Sequence, residues 1–448
     1  MTEAEREFLS LVIGHRVREQ RKTRNLSQAE LATGVGSQSM ISLIESGRQL
    51  PLPDVLRVIA VRLEDEVLKS YAESLENNTI ADFNVTSHNE EDLKSILVNH
   101  RGRWQPAHER IASQLCHHYY YTRHFEQVDE LCHLIIHHVH RPGPKAEAYF
   151  YLGSSLLYQN RYSEAERWLK QAETLADLLS DQMKGKLNYN LGYAYSYLDI
   201  QVLAVWYASQ AVDIFHRMND FVSQGTALAL LGAIQTRLGR LEEAKQTLTT
   251  SYDIVHRWGF KVADESRVHI TLAEVCSLLG DVEEAKHNIS LAIDSVDELD
   301  YLCKAEISRI KVYLAMKQGN LSEARENVKP GIRAALEAHD VHTLAQLYLL
   351  HVKLLDDVDE KIAEAKKAFD LTEGQNHHIL RALSAECMAN ILEQRDGFTE
   401  ESRIYMQAAL DAYRTYVHKN SMFTNLIDNV PVYDSYFVEN DVNPVESL

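Results

Sequence analysis

The stretch Leu26-Ser-Gln-Ala-Glu-Leu-Ala-Thr-Gly-Val-Gly-Ser-Gln-Ser-Met-Ile-Ser-Leu-Ile-Glu-Ser-Gly47 decides the reading of the N-terminal part of the chain. It predicts two short helices separated by a glycine-bearing turn. Ser27 is placed to cap the first, and Glu30, three residues on, closes a capping box. Leu31 and Ala32 then face inward. Gly34 and Gly36 permit a turn that a larger residue would strain. Ser37 caps the second helix, whose buried side is Met40, Ile41 and Ile44, and Gly47 ends it. Upstream, Leu9, Val12, Ile13 and Val17 recur at helical spacing, which predicts a helix from Ala4 to Thr23, broken by Asn25. Downstream, Pro51 and Pro53 open a fourth helix with Val55, Leu56, Ile59, Ala60 and Leu63 on one face.

Charge is divided unevenly along the 448 residues. The net charge is −19, which argues against a general nucleic-acid binder. Residues 1–63 hold nine Lys and Arg against seven Asp and Glu, a net of +2, so the remainder carries −21. Between Gly14 and Arg24 stand five basic residues (Arg16, Arg18, Arg21, Lys22 and Arg24) against one acidic residue, Glu19. Positive density therefore lies beside the helix pair, where contacts to phosphates would need it. No apolar run approaches the roughly 20 residues that span a bilayer, and the N-terminus lacks the basic and apolar regions of a signal peptide. The five cysteines form no CxxC pair, and free thiols in a reducing cytoplasm are the simplest reading.

Internal repeats organise the rest. Gly-Arg-Leu-Glu-Glu-Ala (239–244), Gly-Asp-Val-Glu-Glu-Ala (280–285) and Gly-Asn-Leu-Ser-Glu-Ala (319–324) align with Asn-Arg-Tyr-Ser-Glu-Ala (160–165) and, more weakly, Asp-Ile-Gln-Val-Leu-Ala (199–204). The alanines at 165, 204, 244, 285 and 324 are 39, 40, 41 and 39 residues apart. Weaker units fit at Val128, Ala363 and Ser402. Each unit predicts a long helix, a turn at Gly or Asn, and a second helix opening with acidic residues. The alanine sits where the two helices cross. Twelve residues earlier is a second small position (Gly153, Gly192, Gly232, Ala273), each preceded by leucine. This pattern resembles the tetratricopeptide repeat, with a longer period and so longer helices than usual. Such units bury their faces only against neighbours and build a right-handed superhelix with a concave groove.

The fold class expected is all-α: a helix-turn-helix domain over 1–75, a linker over 76–104, a tetratricopeptide-like right-handed α-solenoid of about eight units over 105–418, and a tail over 419–448. Residues 10–65 resemble the lambda-repressor-like (Xre-type) helix-turn-helix, closest in motif to the PlcR-like regulators. The resemblance implies that Gln28 binds a phosphate and that Ser37, Gln38, Ser39 and Ser42 face the major groove. Gln pairs bidentately with adenine, and Ser is permissive. Ser46 and Arg48 would hold the backbone. It also implies that Arg21 pairs with Glu45. Leu43 stands where relatives often carry a polar residue.

The tandem architecture is similar to the peptide-pheromone receptors of the Rap/Rgg/NprR/PlcR/PrgX group. That similarity implies a cytoplasmic quorum-sensing regulator, homodimeric through its repeats and bound to double-stranded operator DNA as an inverted repeat. A short linear signalling peptide would lie in the groove. The alternative is a Rap-like interaction module acting on a response regulator. With each repeat alanine set at position 20, positions 2, 5, 6, 9, 12 and 13 face the groove. The peptide candidates are then Phe150, Ser154 and Tyr158 in the first strong unit, and Lys186, Tyr189, Asn190, Tyr193, Ser196 and Tyr197 in the second. Thr226 and Arg237 follow, then Arg267, Thr271 and Glu274, then Arg309, Tyr313 and Lys317. Asn190 donates to and accepts from a peptide backbone, and five basic groups in the groove of an acidic domain point to a ligand carboxylate.

Catalytic and metal chemistry find little support. His133 and His137 are i, i+4 on one helix face, a zinc-compatible spacing. No HExxH, cysteine partner, phosphate loop or nucleophile elbow accompanies them. The expectation is a chain that is not an enzyme, with no cofactor, no metal and no membrane.

Overall fold

The computed structural model describes residues 2–77, 85, 89–98, 100, 104–258, 262–296, 300–374 and 376–421, with 262–264 as backbone. Among them there are helices and turns but no strand. The chain separates into two compact units, one ending at Leu179 and the other beginning at Ser180.

The first unit opens with α1 (Glu3–Thr23), α2 (Gln28–Ala32), α3 (Gln38–Glu45), α4 (Pro53–Arg62) and α5 (Glu66–Asn77). The local signals act as expected. Asn25 takes a left-handed φ of 54°, which ends α1. The Ser27 hydroxyl accepts from the Glu30 amide at 3.1 Å, and the Ser27 amide donates to the Glu30 carboxylate at 2.7 Å. Gly34 is left-handed at φ 70°, while Gly36 is not. Phe8, Leu9, Ile13, Leu31, Ile41, Ile44, Leu56, Ile59 and Leu63 are fully buried and make one core.

The stretch expected to be a linker carries a helix of its own, α6 (Glu90–Val98). Nine residues do not hold a helix in water alone. Leu93, Ile96 and Leu97 are buried, and each fully buried side chain of this size contributes roughly 1.5–3 kcal/mol. Polar contacts fix its direction. The Arg16 guanidinium bridges Asp65 at 2.9 Å and Asp92, on α6, at 2.5 Å. The Asn89 amide donates to the Tyr71 hydroxyl at 3.0 Å. Next come α7 (Pro106–Tyr121), α8 (Phe125–His138), α9 (Pro142–Tyr158) and α10 (Tyr162–Glu173). Helix α1 packs on α5, α6 and α7 as well as α3, and Arg110 of α7 sits over the Phe8 ring. This is why the boundary between units falls at 179 and not beside the helix-turn-helix.

The second unit is six helical hairpins among the described residues. They are α11 (Asp181–Tyr197) with α12 (Gln201–Arg217), α13 (Phe221–Arg237) with α14 (Leu241–Trp258), and α15 (Val262–Leu279) with α16 (Val282–Ser295). Then come α17 (Tyr301–Lys317) with α18 (Leu321–Glu337), α19 (Val341–Val352) with α20 (Val358–Leu371), and α21 (His378–Asp396) with α22 (Glu400–Ser421). Helices α11 to α18 run to 14–18 residues, as the long period required.

The repeat alanines 165, 204, 244, 285 and 324 have no exposed surface, and neither has Val128. At Gly192 a Cβ would stand 3.0 Å from the Ala208 amide nitrogen, so α11 and α12 meet backbone to backbone. The seventh unit differs from its reading: Ala363 is exposed, and Ala365 and Ala368 are the buried small residues. The repeat there was aligned by its weakest match. The expected tail is helical to Ser421 and otherwise lies outside the described residues.

First helices pack on first helices of the neighbouring hairpins: α11 on α13, α13 on α15, α15 on α17, α17 on α19 and α19 on α21. They form the inner wall of the second unit.

Candidate nucleic-acid interface and candidate ligand wall

Helix α3 divides into two faces. Ile41, Ile44 and Glu45 are buried, while Gln38, Ser39, Ser42, Leu43 and Ser46 are exposed together along the other side. Two of the candidate hydroxyls are engaged at the helix ends. Ser37 Oγ accepts from the Met40 amide at 3.1 Å, and Ser46 Oγ donates to the Leu43 carbonyl at 3.0 Å. Arg48 is exposed just beyond.

What orients α3 is a charged knot beneath it. Arg21 of α1 reaches Glu45 through Nε at 2.5 Å and through its second terminal nitrogen at 2.9 Å, and donates to the Leu26 carbonyl at 2.7 Å. The Glu45 side chain is 4% exposed and that of Arg21 14%. Gln28 Nε2 donates to the same carboxylate at 2.8 Å, so Gln28 is tied inward in this structure, not presented to a phosphate.

The basic run 16–24 is also spent partly inside. Arg16 and Arg21 are structural, and Lys22 pairs with Glu19. Arg18 is exposed.

On the inner wall of the second unit, cations join neighbouring hairpins. Arg237, at position 13 of its unit, donates to the Ser196 hydroxyl at 2.6 Å and carbonyl at 3.2 Å, and lies over the Tyr197 ring. Lys317, at the same position two units on, donates to the Ser277 carbonyl at 3.0 Å and lies over Tyr313. Ser196 and Ser277 both hold position 12 of the preceding unit, near the end of its first helix. These cations therefore satisfy carbonyls at the negative ends of helices. Hydrogen bonds to charged groups contribute roughly 1.5–3 kcal/mol, and these belong at the low end because both side chains keep water. Arg309 pairs with Glu274 at 2.8 Å. Three of the five cations expected to face a ligand carboxylate are thus engaged with the protein itself. Arg267 differs: among the described residues its guanidinium makes no hydrogen bond or ion pair, and Cys303, Tyr189 and Glu306 act on it at longer range.

Tyr189, Asn190, Tyr193 and Tyr197 line one side of α11 with Lys186, all half-buried, and the Tyr193 and Tyr197 rings are 4.9 Å apart. The Thr226 and Thr271 hydroxyls donate back into their own helices, to the Val222 and Arg267 carbonyls. In the first unit the expectation fails for two residues. Phe150 and Ser154 are buried, and Ser154 Oγ donates to the Phe150 carbonyl at 2.7 Å. The Tyr120 ring, from α7, lies against Tyr151 and Tyr158 and covers that face. Tyr158 is exposed and stacks on Phe125.

Four residues on this wall escaped the sequence reading. Glu306 holds position 2 of its unit, the position that yields Lys186, Thr226 and Arg267, and the same register would have found it. Its carboxyl is pushed up to about 7 by burial and by the nearby Asp340 and Glu274, against the pull of Arg309 and Arg267. Asp199, His342 and Asn420 carry no sequence signal, because their partners lie about 140–220 residues away in the chain. Asp199 Oδ2 accepts from the Ile379 amide at 3.1 Å, at the start of α21. Asn420 donates to the Asp199 carbonyl at 2.8 Å and accepts from the Val202 amide at 3.4 Å. The His342 ring lies between Tyr197, at 6.2 Å, and His377, at 5.7 Å. The first and last hairpins of the second unit are therefore joined, and the inner wall is enclosed.

The histidines of α8 pack as rings. His133 lies edge-on to Trp168, His137 meets His138, and His138 stacks on Trp104. No group of three metal-ligating side chains occurs among the described residues. None of the described helices is long and apolar enough to cross a membrane.

A helix-turn-helix family model matches residues 17–64, and a tetratricopeptide-repeat model matches residues 266–286. The apo form of the quorum sensor NprR from B. thuringiensis is 18% identical with a TM-score of 0.55, over 79% of this chain and 99% of that one. NprR in complex with its cognate peptide NprX has a TM-score of 0.56 at 18% identity, over 78% of this chain and 96% of that one. A Rap protein complexed with competence and sporulation factor has a TM-score of 0.58 at 16% identity, over 81% and 99%. In fold the chain is similar to these NprR and Rap structures. At such identities the likeness is one of fold. The type II methyltransferase M.CeqI of Rhodococcus hoagii is 34% identical over 99 residues, 22% of this chain, in the helix-turn-helix region. The chain spans 19% of that relative's length.

Two outcomes follow from this geometry. Arg21→Ala strands the Glu45 carboxylate in a nearly dry site, with a loss of up to about 3–5 kcal/mol. A lower melting temperature of the full chain, with the early loss confined to residues 2–77 by hydrogen exchange, is the expected result; an unchanged melt would free Arg21 for DNA. For Glu306 the sign runs the other way from an ordinary ion pair. Between pH 4.5 and about 7 the unfolded chain has released this proton and the folded chain keeps it, so stability falls as pH rises through that window. Glu306→Gln should melt above wild type at pH 8 and no higher than wild type at pH 5. Parallel melting curves across that range would show the carboxyl to be ordinary.

Proposed function

We propose that this chain is a cytoplasmic quorum-sensing transcription regulator. It reads an inverted repeat in double-stranded operator DNA as a homodimer, and a short linear peptide on the inner wall of its repeats controls that reading. The observation that carries the proposal is the exposed polar face of α3, Gln38-Ser39-Ser42-Ser46, held from beneath by Arg21 and Glu45. A neutral, hydrogen-bonding face on a braced helix suits base edges, and two such helices related by a two-fold axis suit a palindromic site. Residues 17–64 match a helix-turn-helix model, which supports this assignment.

The inner wall suits a peptide. An extended peptide brings unpaired backbone amides, which are costly to bury. Asn190 is an amide that donates and accepts, set among Tyr189, Tyr193 and Tyr197, whose rings cover apolar side chains. With Arg237, Arg309 and Lys317 holding neighbouring hairpins together, Arg267 is the cation best placed to receive a ligand carboxylate, which a guanidinium grips by two bonds. A solved structure of similar fold, NprR, carries its cognate peptide NprX, which favours the same ligand class here.

The reading is tested on DNA and on peptide. Gln38→Ala should weaken binding to duplexes selected by the wild-type chain by about 1–3 kcal/mol, the worth of one bidentate base contact, and leave binding to random duplexes nearly unchanged. Equal losses on both would remove Gln38 from base reading. A wild-type chain that selects no duplex yet binds peptide would instead favour a repeat-mediated interaction with a response regulator.

Asn190→Ala should abolish binding of a peptide selected against the wild-type chain while circular dichroism and the operator shift stay as in wild type. Wild-type affinity in the variant would place the ligand elsewhere.

A further inference from the structure

Away from the inner wall, helices α16, α17 and α18 border an open hollow of about 720 Å³. Its walls come from regular helical faces. Lys304, Ile307, Ser308 and Lys311 are spaced i, i+3, i+4 and i+7 on α17, and Pro330, Arg333, Ala334 and Glu337 repeat that spacing on α18. Ile293 and Val296 close it from the α16 side. The floor is tight because Gly331 lets α18 approach α17: a Cβ there would stand 2.8 Å from Ser308 Cβ. Pro330 is inside α18, where it removes a helix hydrogen bond at a cost in stability. The helix keeps that residue on the cavity wall.

The chemistry of the lining is two-sided. Ile293 is 46% exposed and Tyr301 38%, beside Ile307 and Ala334, so an apolar surface stands open to water. Among the described residues that line it are three cations, Lys304, Lys311 and Arg333, and one carboxylate, Glu337. Lys304 lies over the Tyr301 ring. Lys311 and Arg333 form no hydrogen bond or ion pair among the described residues. Lys311 and Arg333 are thus two cations with no partner among the described residues beside an apolar hollow, a local charge that an anion would balance. The volume lies in the range of small-molecule sites, which combine apolar walls with a few orienting polar groups.

We propose that this cavity binds a small organic anion with an apolar body, such as an acyl carboxylate. The apolar part lies against Ile293, Ile307 and Ala334, and the carboxylate is held by Lys311 and Arg333. The proposal does not depend on the peptide reading, since the cavity and Asn190 belong to different hairpins. The test is isothermal titration of the full chain with decanoate below its micelle-forming concentration. Saturable one-site binding is expected for wild type. Lys311→Ala with Arg333→Ala should weaken it about tenfold or more, since charge-assisted bonds supply the anion's grip. Ala334→Trp, which fills the cavity, should abolish it, and Asn190→Ala should leave it unchanged. Four results would overturn the proposal: no saturable binding by wild type, equal affinity in the double-alanine variant, equal affinity for decyltrimethylammonium, or loss of decanoate binding in Asn190→Ala. The double variant alters two side chains that form no hydrogen bond or ion pair among the described residues, so it remains decisive even if Ala334→Trp folds poorly.

Discussion

Two helices cross closely only where a small residue, glycine or alanine, stands at the crossing. The repeat array rests on that constraint. Alanines 165, 204, 244, 285 and 324 have no exposed surface, and Gly192 leaves no room for a Cβ against α12. Once the hairpin is closed at that point, the leucines beside it turn into the core and the first helices are left facing their neighbours. The inner wall is a consequence of where the small residues fall. A larger residue at the crossing would spread the helices and disturb the stacking of the next hairpin, because each hairpin buries its faces only against its neighbours.

The stacking then uses charge in a way that composition alone conceals. A cation at position 13 reaches back to a carbonyl at position 12 of the previous first helix, once at Arg237 and again at Lys317. Position 12 is near a helix C-terminus, where carbonyls lack intrahelical partners, so the same contact meets a hydrogen-bonding need and a favourable dipole. The closure of the second unit follows similar logic at N-termini. The Asp199 carboxylate takes an amide at the start of α21, and the Asn420 side chain takes one at the start of α12. Enclosure has an electrostatic cost, visible at Glu306, whose carboxyl holds its proton to about pH 7. A ligand entering this space meets arginines and a carboxyl whose charges already depend on one another.

At the other end of the chain, two guanidinia are turned inward. Arg21 with Glu45 and Gln28 braces α3, and Arg16 ties Asp65 and Asp92 so that α6 lies against α1. The outer face of α3 is neutral, made of the Gln38 amide, several hydroxyls and Leu43. Among the cations near it, Arg18 and Arg48 are exposed.

Local chemistry was legible from the sequence. The capping box Ser27–Glu30, the Ser37 cap, the left-handed Asn25 and Gly34, and the 39–41-residue period of buried alanines are properties of residues a few positions apart, and each stands in the structure as read. The side of each first helix that forms the inner wall could be read as well, since helical period fixes it. The fate of a side chain on that wall could not. Whether Arg237 is open to a ligand depends on Ser196, 41 residues earlier, and whether Ser154 is covered depends on Tyr120 of another helix. Arg16 looked like a phosphate contact until Asp92, 76 residues on, folded against it. Periodicity determines which way a residue faces, and only the packed structure decides what it meets there, because ion pairs and ring contacts form across distances that no sequence spacing records.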